Sequence, residues 1–265
     1  MKELTLGEIQ QGSFQILKKI KAICNQNNLS YFLDYGTLIG AVRHQGFIPW
    51  DDDIDIAMPR KDYEKLINLY LNNKAIFAPY ELMHFKTNKK YIYPIARLSD
   101  PAYSIKYSNA KDYGLGLFVD IYPLDGVNLK DKKQIKKLNH LCSLIYVAGN
   151  KHMSKARNIL RNIPKLICFV WSRFLDINKL LKKNDKLAQK YDYDKCDDIG
   201  CIAIEPWINF KKSLFSETIL MKFEDSQFNV PKAYDQRLKE YYGDYMKLPP
   251  ENERIGHHNY SCTKK

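Results

Sequence analysis

No run in this 265-residue chain approaches the roughly 20 apolar residues that a membrane-spanning helix needs. The stretch from Met1 to Gln11 is acidic and polar, without the apolar core of a secretory signal, so export by that route is not expected. Cysteine is sparse and scattered. The six residues (Cys24, Cys142, Cys168, Cys196, Cys201, Cys262) include no C-x-x-C pair, and a structural zinc site would need four ligands. Reduced thiols in a cytoplasmic protein are the expectation, with peripheral contact to the inner face of the cell membrane left open. Internal repeats and low-complexity linkers are missing too, which excludes solenoids and long disordered tethers. A hydrophobic content of 45% is ordinary for a globular protein. Acidic residues are scarce between Leu129 and Lys190, where 16 Lys and Arg face 3 Asp, while the whole chain nets +12. A segment so charged suits an anionic surface such as a lipid headgroup layer or a phosphorylated substrate.

Acid is instead concentrated in Phe47-Ile48-Pro49-Trp50-Asp51-Asp52-Asp53-Ile54-Asp55-Ile56, four carboxylates in five positions inside an apolar stretch. Like charges so close repel, and burying them is costly unless a cation or hydrogen-bond donors compensate. Side chains alternate along a strand, so Asp51, Asp53 and Asp55 share one face and Asp52 takes the other. Hard oxygen ligands at that spacing suit Mg²⁺ or Mn²⁺, which bind one or two carboxylates together with substrate phosphates.

Apolar spacing predicts an amphipathic helix from Leu6 to Asn25, then a short strand at Tyr31-Phe32-Leu33, a Gly36-Thr37 turn and a second helix from Leu38. The acidic strand follows at 53–57, then a helix from Lys61 to Asn72 and strands near 81–85, 91–98, 102–107 and 116–122, the last closed by Pro123 and Asp125-Gly126. From about 130 the pattern turns helical and basic. A further strand is expected near Ile202, with a helix over 232–242. Mixed helices and short strands predict an α/β (α+β) core, a mixed sheet flanked by helices and carrying a basic helical insertion. The expected divisions are 1–128 for the catalytic core, 129–195 for the insertion and 196–265 for a segment completing the core.

A small-residue turn, an Asp-x-Asp strand and a later strand bearing one carboxylate, Asp120, are the parts that metal-dependent phosphoryl or nucleotidyl transfer uses. Backbone N–H groups at such a turn hold phosphate oxygens. Three carboxylates on adjacent strands can hold two metal ions about 3.5–4 Å apart. The block Tyr31 to Asp55 closely resembles the LicD family, which contains bacterial phosphocholine transferases and is related to fukutin and fukutin-related protein. Met58-Pro59-Arg60-x-x-Tyr63, Phe118-Val119-Asp120-Ile121-Tyr122-Pro123-Leu124-Asp125-Gly126 and Tyr242-Gly243-Asp244-Tyr245-Met246-x-Leu248-Pro249-Pro250 extend the likeness over residues 8–258. It implies a nucleotidyltransferase-type fold and transfer of a phosphorylated alcohol from a CDP-activated donor to a sugar hydroxyl, with release of CMP.

By position, the resemblance makes Asp53 and Asp55 the metal-binding pair and Asp120 the third carboxylate and candidate base. Gly36 and Thr37 correspond to the phosphate-contacting turn. Arg43, His44, Arg60 and Arg97 are candidate cations for the pyrophosphate, with a salt bridge from Arg43 to the aspartates and a structural role for His44 as alternatives. Trp50 reads as a packing residue, and Asp51 and Asp52 as outer ligands or plain loop residues. His257 and His258 match a histidine that the family often carries. The cysteine cluster of fukutin-related protein has no counterpart, so zinc is not expected. CDP-choline with a glycan or lipid-linked glycan acceptor is the leading expectation. CDP-glycerol, CDP-ribitol, or nucleotidyl transfer releasing pyrophosphate are the alternatives. Choline would want an aromatic cage, for which Tyr91, Tyr93, Tyr103, Tyr107 and Tyr113 are available. In the insertion, Ile163, Leu166, Ile167, Val170, Trp171 and Phe174 form a helical stripe among Arg157, Arg161, Lys165 and Arg173, and peripheral membrane contact is expected through 157–175. Nucleic acid is not an expected partner, since no binding module accompanies the charge.

Overall fold

The computed structural model describes residues 2–153, 162–256 and 260–265. Helix α1 (Leu6–Gln26) begins with a capping box: the Thr5 side chain accepts from the Glu8 N–H while Glu8 reaches back to the Thr5 N–H. Such a cap contributes about 1 kcal/mol. The apolar stripe anticipated for this helix is buried, with Phe14, Ile16, Leu17, Ile20 and Ile23 inside. Its opposite edge does a second job, because Gln10 Nε2 donates to the carbonyl of Asp51 at 2.8 Å and ties the acidic segment down.

The central sheet contains β1 (Phe32–Leu33), β2 (Asp55–Pro59), β3 (Glu81–Met83), β4 (Ala96–Asp100) and β6 (Leu117–Val127), in the order β1-β2-β6-β4-β3. Only β2 and β6 run parallel within that order, with Asp55 opposite Asp120. Strand β5 (Tyr103–Tyr107) pairs instead with the C-terminal β11 (Tyr260–Lys264). Between β1 and β2 lie α2 (Tyr35–Ile39) and a π-helical turn at Gly40–His44. Gly36 and Thr37 therefore stand inside the first turn of a helix capped by Asp34 rather than in a separate turn. Helix α3 (Arg60–Asn72) follows β2 without a loop.

Several boundaries differ from the sequence expectation: the strand expected at 91–98 runs from Ala96 to Asp100, the one near 81–85 ends at Met83, and the one near Ile202 falls at Asp198–Gly200. The acidic strand begins at Asp55, leaving Asp53 in the extended segment before it. Strand β6 continues through Pro123 to Val127. Proline is tolerated there because it falls between Ile121, the last residue paired with β4, and Asp125, the first paired with β7 (Asp198–Gly200), so the missing N–H breaks neither ladder. β7 in turn pairs with β8 (Phe210–Lys211).

The basic segment supplies α4 (Lys132–Gly149), α5 (Asn162–Ser172) and α6 (Ile177–Ala188). It joins the core: Leu138 and Ala188 are buried with Val127, Ile202 and Ala203, and Gln134 Nε2 donates to the Leu187 carbonyl at 2.7 Å. A hairpin of β9 (Thr218–Phe223) and β10 (Ser226–Pro231) then leads to α7 (Tyr234–Tyr242). Its turn braces the chain before the acidic segment, with the Glu224 N–H donating to the Gln45 carbonyl and the Glu224 carboxylate accepting from the Phe47 N–H.

His84 follows β3 in the core, fully buried, with Nε2 lacking a hydrogen-bond partner. Burial, reinforced by Lys86 and Arg60, pushes its pKa well below the ordinary value. As pH falls through about 6.5, the unfolded chain takes up a proton that the folded protein refuses, so stability is lost. Urea unfolding at pH 7.5 and 5.5 is expected to show a loss approaching about 1.4 kcal/mol per pH unit from this residue. His84→Phe should flatten that slope; an unchanged slope would remove His84 as its source.

Candidate active site

The acidic segment opens into a cavity of about 820 Å³. Asp51, Asp53 and Asp55 line one side. Tyr35, Trp50, Tyr122, Tyr241, Tyr242 and Tyr245 make an aromatic wall, and Arg43 and Lys247 contribute positive charge. Among the described residues, carboxylate oxygens of Asp51, Asp52 and Asp53 come within 4.8 Å of one another. Asp55 is buried, and its Oδ1 has no hydrogen-bond partner. Burial first, then Asp53, Asp120, Asp51 and Asp34, hold the Asp55 carboxyl well above the usual carboxylate range. An orphaned, buried carboxylate oxygen beside three clustered aspartates is a donor set of the kind a hard divalent cation takes. Asp51 and Asp52, read from sequence as peripheral, belong to that cluster.

Local structure explains how Asp55 is aimed. Thr37 Oγ1 accepts from the Asp55 N–H at 2.8 Å, and the Asp34 N–H donates to the Asp55 carbonyl at 3.2 Å. Thr37 is thus placed to position the strand start. Gly36 lines the cavity, and a Cβ there would lie 2.8 Å from Asp51 Oδ2, so a larger residue would displace that carboxylate. Asp34 also anchors α7 through Arg237 at 3.0 Å, both side chains fully buried.

The four candidate cations separate. Arg43 lines the cavity, its Nη1 donating to the Tyr245 carbonyl at 2.6 Å and its Nε to His44 Nε2 at 2.9 Å. His44 is thereby an acceptor, its pKa lowered by burial and by Arg43. Arg60 lies away from the cavity lining in a buried ion cluster, forked onto Asp125 at 2.7 Å and bonded to Asp185 at 2.9 Å. Arg97 grips Asp120 with Nε and Nη2 and donates through Nη1 to the Tyr113 hydroxyl at 2.7 Å. Neither Arg60 nor Arg97 reaches the space where Asp53 faces the cavity. Tyr93 stacks on Arg97 at 4.2 Å, Tyr91 and Tyr113 pack beside it, and none of the five tyrosines expected to cage choline lines the cavity. Trp50 does line it, with Arg254 5.6 Å from its ring. His257 and His258 lie outside the described residues.

Glu205, on the loop after β7, and the run from Tyr241 to Pro250 complete the cavity. The sequence carries a partial signal for the second in the Tyr242-to-Pro250 likeness. It carries none for Glu205, which reaches the site only through folding.

A mixed sheet that presents clustered carboxylates at the start of a strand parallel to its neighbour, under an open polar and aromatic cavity, is an arrangement suited to metal-assisted phosphoryl transfer. Residues 28–146 match the family model described as LicD/FKTN/FKRP, nucleotidyltransferase domain. Over 268 residues the chain is 34% identical to the lipopolysaccharide cholinephosphotransferase LicD of Haemophilus influenzae, covering 97% of each. Shorter likenesses extend to two uncharacterized proteins. One is from Rickettsia typhi, 33% identical over 42% of this chain and 34% of that one. The other is from Rickettsia prowazekii, 47% identical over 18% of each. The chain belongs to the LicD family.

Proposed function

We propose that this protein transfers phosphocholine from CDP-choline to a hydroxyl of a cell-surface glycan or its lipid-linked precursor, releasing CMP. The observation that carries this reading is the full-length similarity to a lipopolysaccharide cholinephosphotransferase, joined to a cavity with an acidic floor large enough for a nucleotide donor. The acceptor oxygen forms a bond to the phosphorus bearing choline. The bond from that phosphorus to the oxygen bridging to CMP breaks, and the hydroxyl proton leaves to a carboxylate of the site. Asp53 and Asp55, with Asp51 and Asp52 beside them, would hold Mg²⁺ or Mn²⁺. Asp120, the expected third carboxylate, stands opposite Asp55 across β2 and β6 but is gripped by Arg97 and lies outside the cavity lining. When bound, the ion would neutralise the charge that builds up on the pyrophosphate. Arg43 and Lys247 face the same phosphates, and Gly36 brings bare backbone alongside.

No helix among the described residues is long and apolar enough to cross a membrane. Peripheral contact is a separate matter, and α5 supports it. Ile163, Leu166, Ile167, Val170 and Trp171 are each at least half exposed, and Phe174 just beyond is 84% exposed. Lys165 is exposed on the same helix, whereas Arg173 is turned away to the Val147 and Asn150 carbonyls at the end of α4. Arg157 and Arg161 lie outside the described residues. A lipid-linked acceptor is the reason for such a face on the inner side of the membrane. A Trp171→Ser/Phe174→Ser protein is expected to lose about tenfold or more in affinity for anionic vesicles while remaining folded. Equal vesicle binding by both proteins would remove α5 from the membrane.

Incubation with Mg²⁺, a glycan acceptor and, in separate reactions, CDP-choline, CDP-glycerol, CDP-ribitol or a nucleoside triphosphate, with CMP and pyrophosphate both measured, tests the reaction. CMP from CDP-choline is the expected product. CMP from a polyol donor would change the transferred alcohol, and pyrophosphate from a nucleoside triphosphate would replace the reaction class.

A further inference from the structure

At the Glu205 side of the cavity, aromatic rings converge on one carboxylate. The Tyr35 hydroxyl donates to Glu205 Oε2 and the Tyr241 hydroxyl to Oε1, both at 2.9 Å. Tyr35 packs on Tyr122 at 4.9 Å and edge-on to Tyr241 at 5.5 Å. All four residues line the cavity, and among the described residues no lysine or arginine pairs with Glu205. Arg237 is not that partner: its charge is matched by Asp34, and it packs against the rings of Tyr35 and Tyr241 at 5.4 and 5.2 Å. Tyr35 adopts a φ of +49°, a conformation that costs a side-chain-bearing residue energy and persists where its surroundings enforce it.

We propose that Glu205, clasped by the hydroxyls of Tyr35 and Tyr241 and walled by Tyr122, is the subsite that recognises a quaternary ammonium head group. This rests on the cavity being the donor site of the transferase reading. A trimethylammonium group has no N–H to donate, so it is best held by π faces and a fixed carboxylate. The same wall is poor for a polyol. Hydroxyls of a polyol could use the lone pairs that Glu205 keeps, but a polyol brings no positive charge to offset desolvating that carboxylate, and the ring faces attract a cation and not a neutral hydroxyl. Tyr122 bridges the two ends of the site. It pairs with Ala57 two residues beyond Asp55 and packs at a 47° tilt against Tyr35, so its ring lies between the ammonium subsite and the aspartates. Specificity for choline over glycerol or ribitol is therefore built at Glu205, away from the aspartates.

Titrating the protein with phosphocholine and with glycerol 3-phosphate as head-group probes tests this. Wild type is expected to prefer phosphocholine by about tenfold or more. Glu205→Gln should cost phosphocholine about tenfold and leave glycerol 3-phosphate unchanged. Tyr241→Phe, which keeps the ring, should cost a smaller factor on the same probe alone. Equal weakening of both probes, or no weakening of either, overturns the subsite. Wild type that selects phosphocholine but releases no CMP from CDP-choline would overturn the donor reading and leave the subsite standing. Turnover of CDP-choline with KM unchanged in Glu205→Gln would overturn the subsite alone.

Discussion

Asp55→Asn protein is expected to lose transfer activity by about three orders of magnitude while unfolding at a higher temperature than wild type in EDTA. The two effects have one cause. Asp55 is buried, its Oδ1 has no partner, and Asp53, Asp51 and Asp120 surround it with like charge. Asparagine keeps the shape and the backbone bond to Thr37 but removes the charge. Relief of about 1–2 kcal/mol is expected in the metal-free protein, a few degrees in Tm for a chain of this size. The same charge is what a divalent cation needs, so Mg²⁺ should raise the Tm of wild type and leave the variant unmoved. Differential scanning fluorimetry with and without Mg²⁺, beside a CMP assay, reads both. An inactive variant that is also less stable in EDTA would show Asp55 to be a structural group.

The second large effect is on stability. Arg97→Met is expected to cost about 3–5 kcal/mol, because it strands Asp120 in the core beside Asp55 and leaves the Tyr113 hydroxyl without its donor. Asp120→Asn in the same protein should recover much of the loss, since the remaining group is then neutral. Chemical denaturation of the two single variants and the double variant gives the coupling between them. Additive losses would contradict a buried pair, and a single variant as stable as wild type would contradict it outright.

The site was legible where chemistry is local and obscure where it depends on which distant groups meet. Four aspartates in five residues cannot be an ordinary core strand, and they lead straight to the cavity floor. Arg60 and Arg97 read as phosphate ligands because a sequence cannot say which carboxylate an arginine will find. Folding gives them Asp125 and Asp120 instead. Glu205 is a single acid in a loop and becomes noticeable only when Tyr35 and Tyr241, 170 and 36 residues away in sequence, close on it. In the fold, α1 declares itself through its apolar spacing. The β9–β10 hairpin does not, because Phe223 pairs with Ser226 across Glu224-Asp225, without the glycine or asparagine that marks a two-residue turn. Glu224 adopts the left-handed conformation itself, at φ +56°, and its hydrogen bonds to Gln45 and Phe47 show what holds it there. Pro123 read as a strand end because proline breaks a continuous ladder; the interval between the β4 and β7 partners of β6 was invisible in one dimension.

Under the proposed phosphocholine transfer, the acidic segment that runs into β2 at Asp55 is the reaction centre. Following CDP-choline by ³¹P NMR with Mg²⁺, a glycan acceptor, and either wild-type or Asp55→Asn protein tests it most directly. The wild type is predicted to convert the pyrophosphate signals into one CMP and one phosphodiester signal in equal amounts, and the variant to leave them standing. Unchanged pyrophosphate signals with wild type, or equal conversion by both proteins, would contradict it.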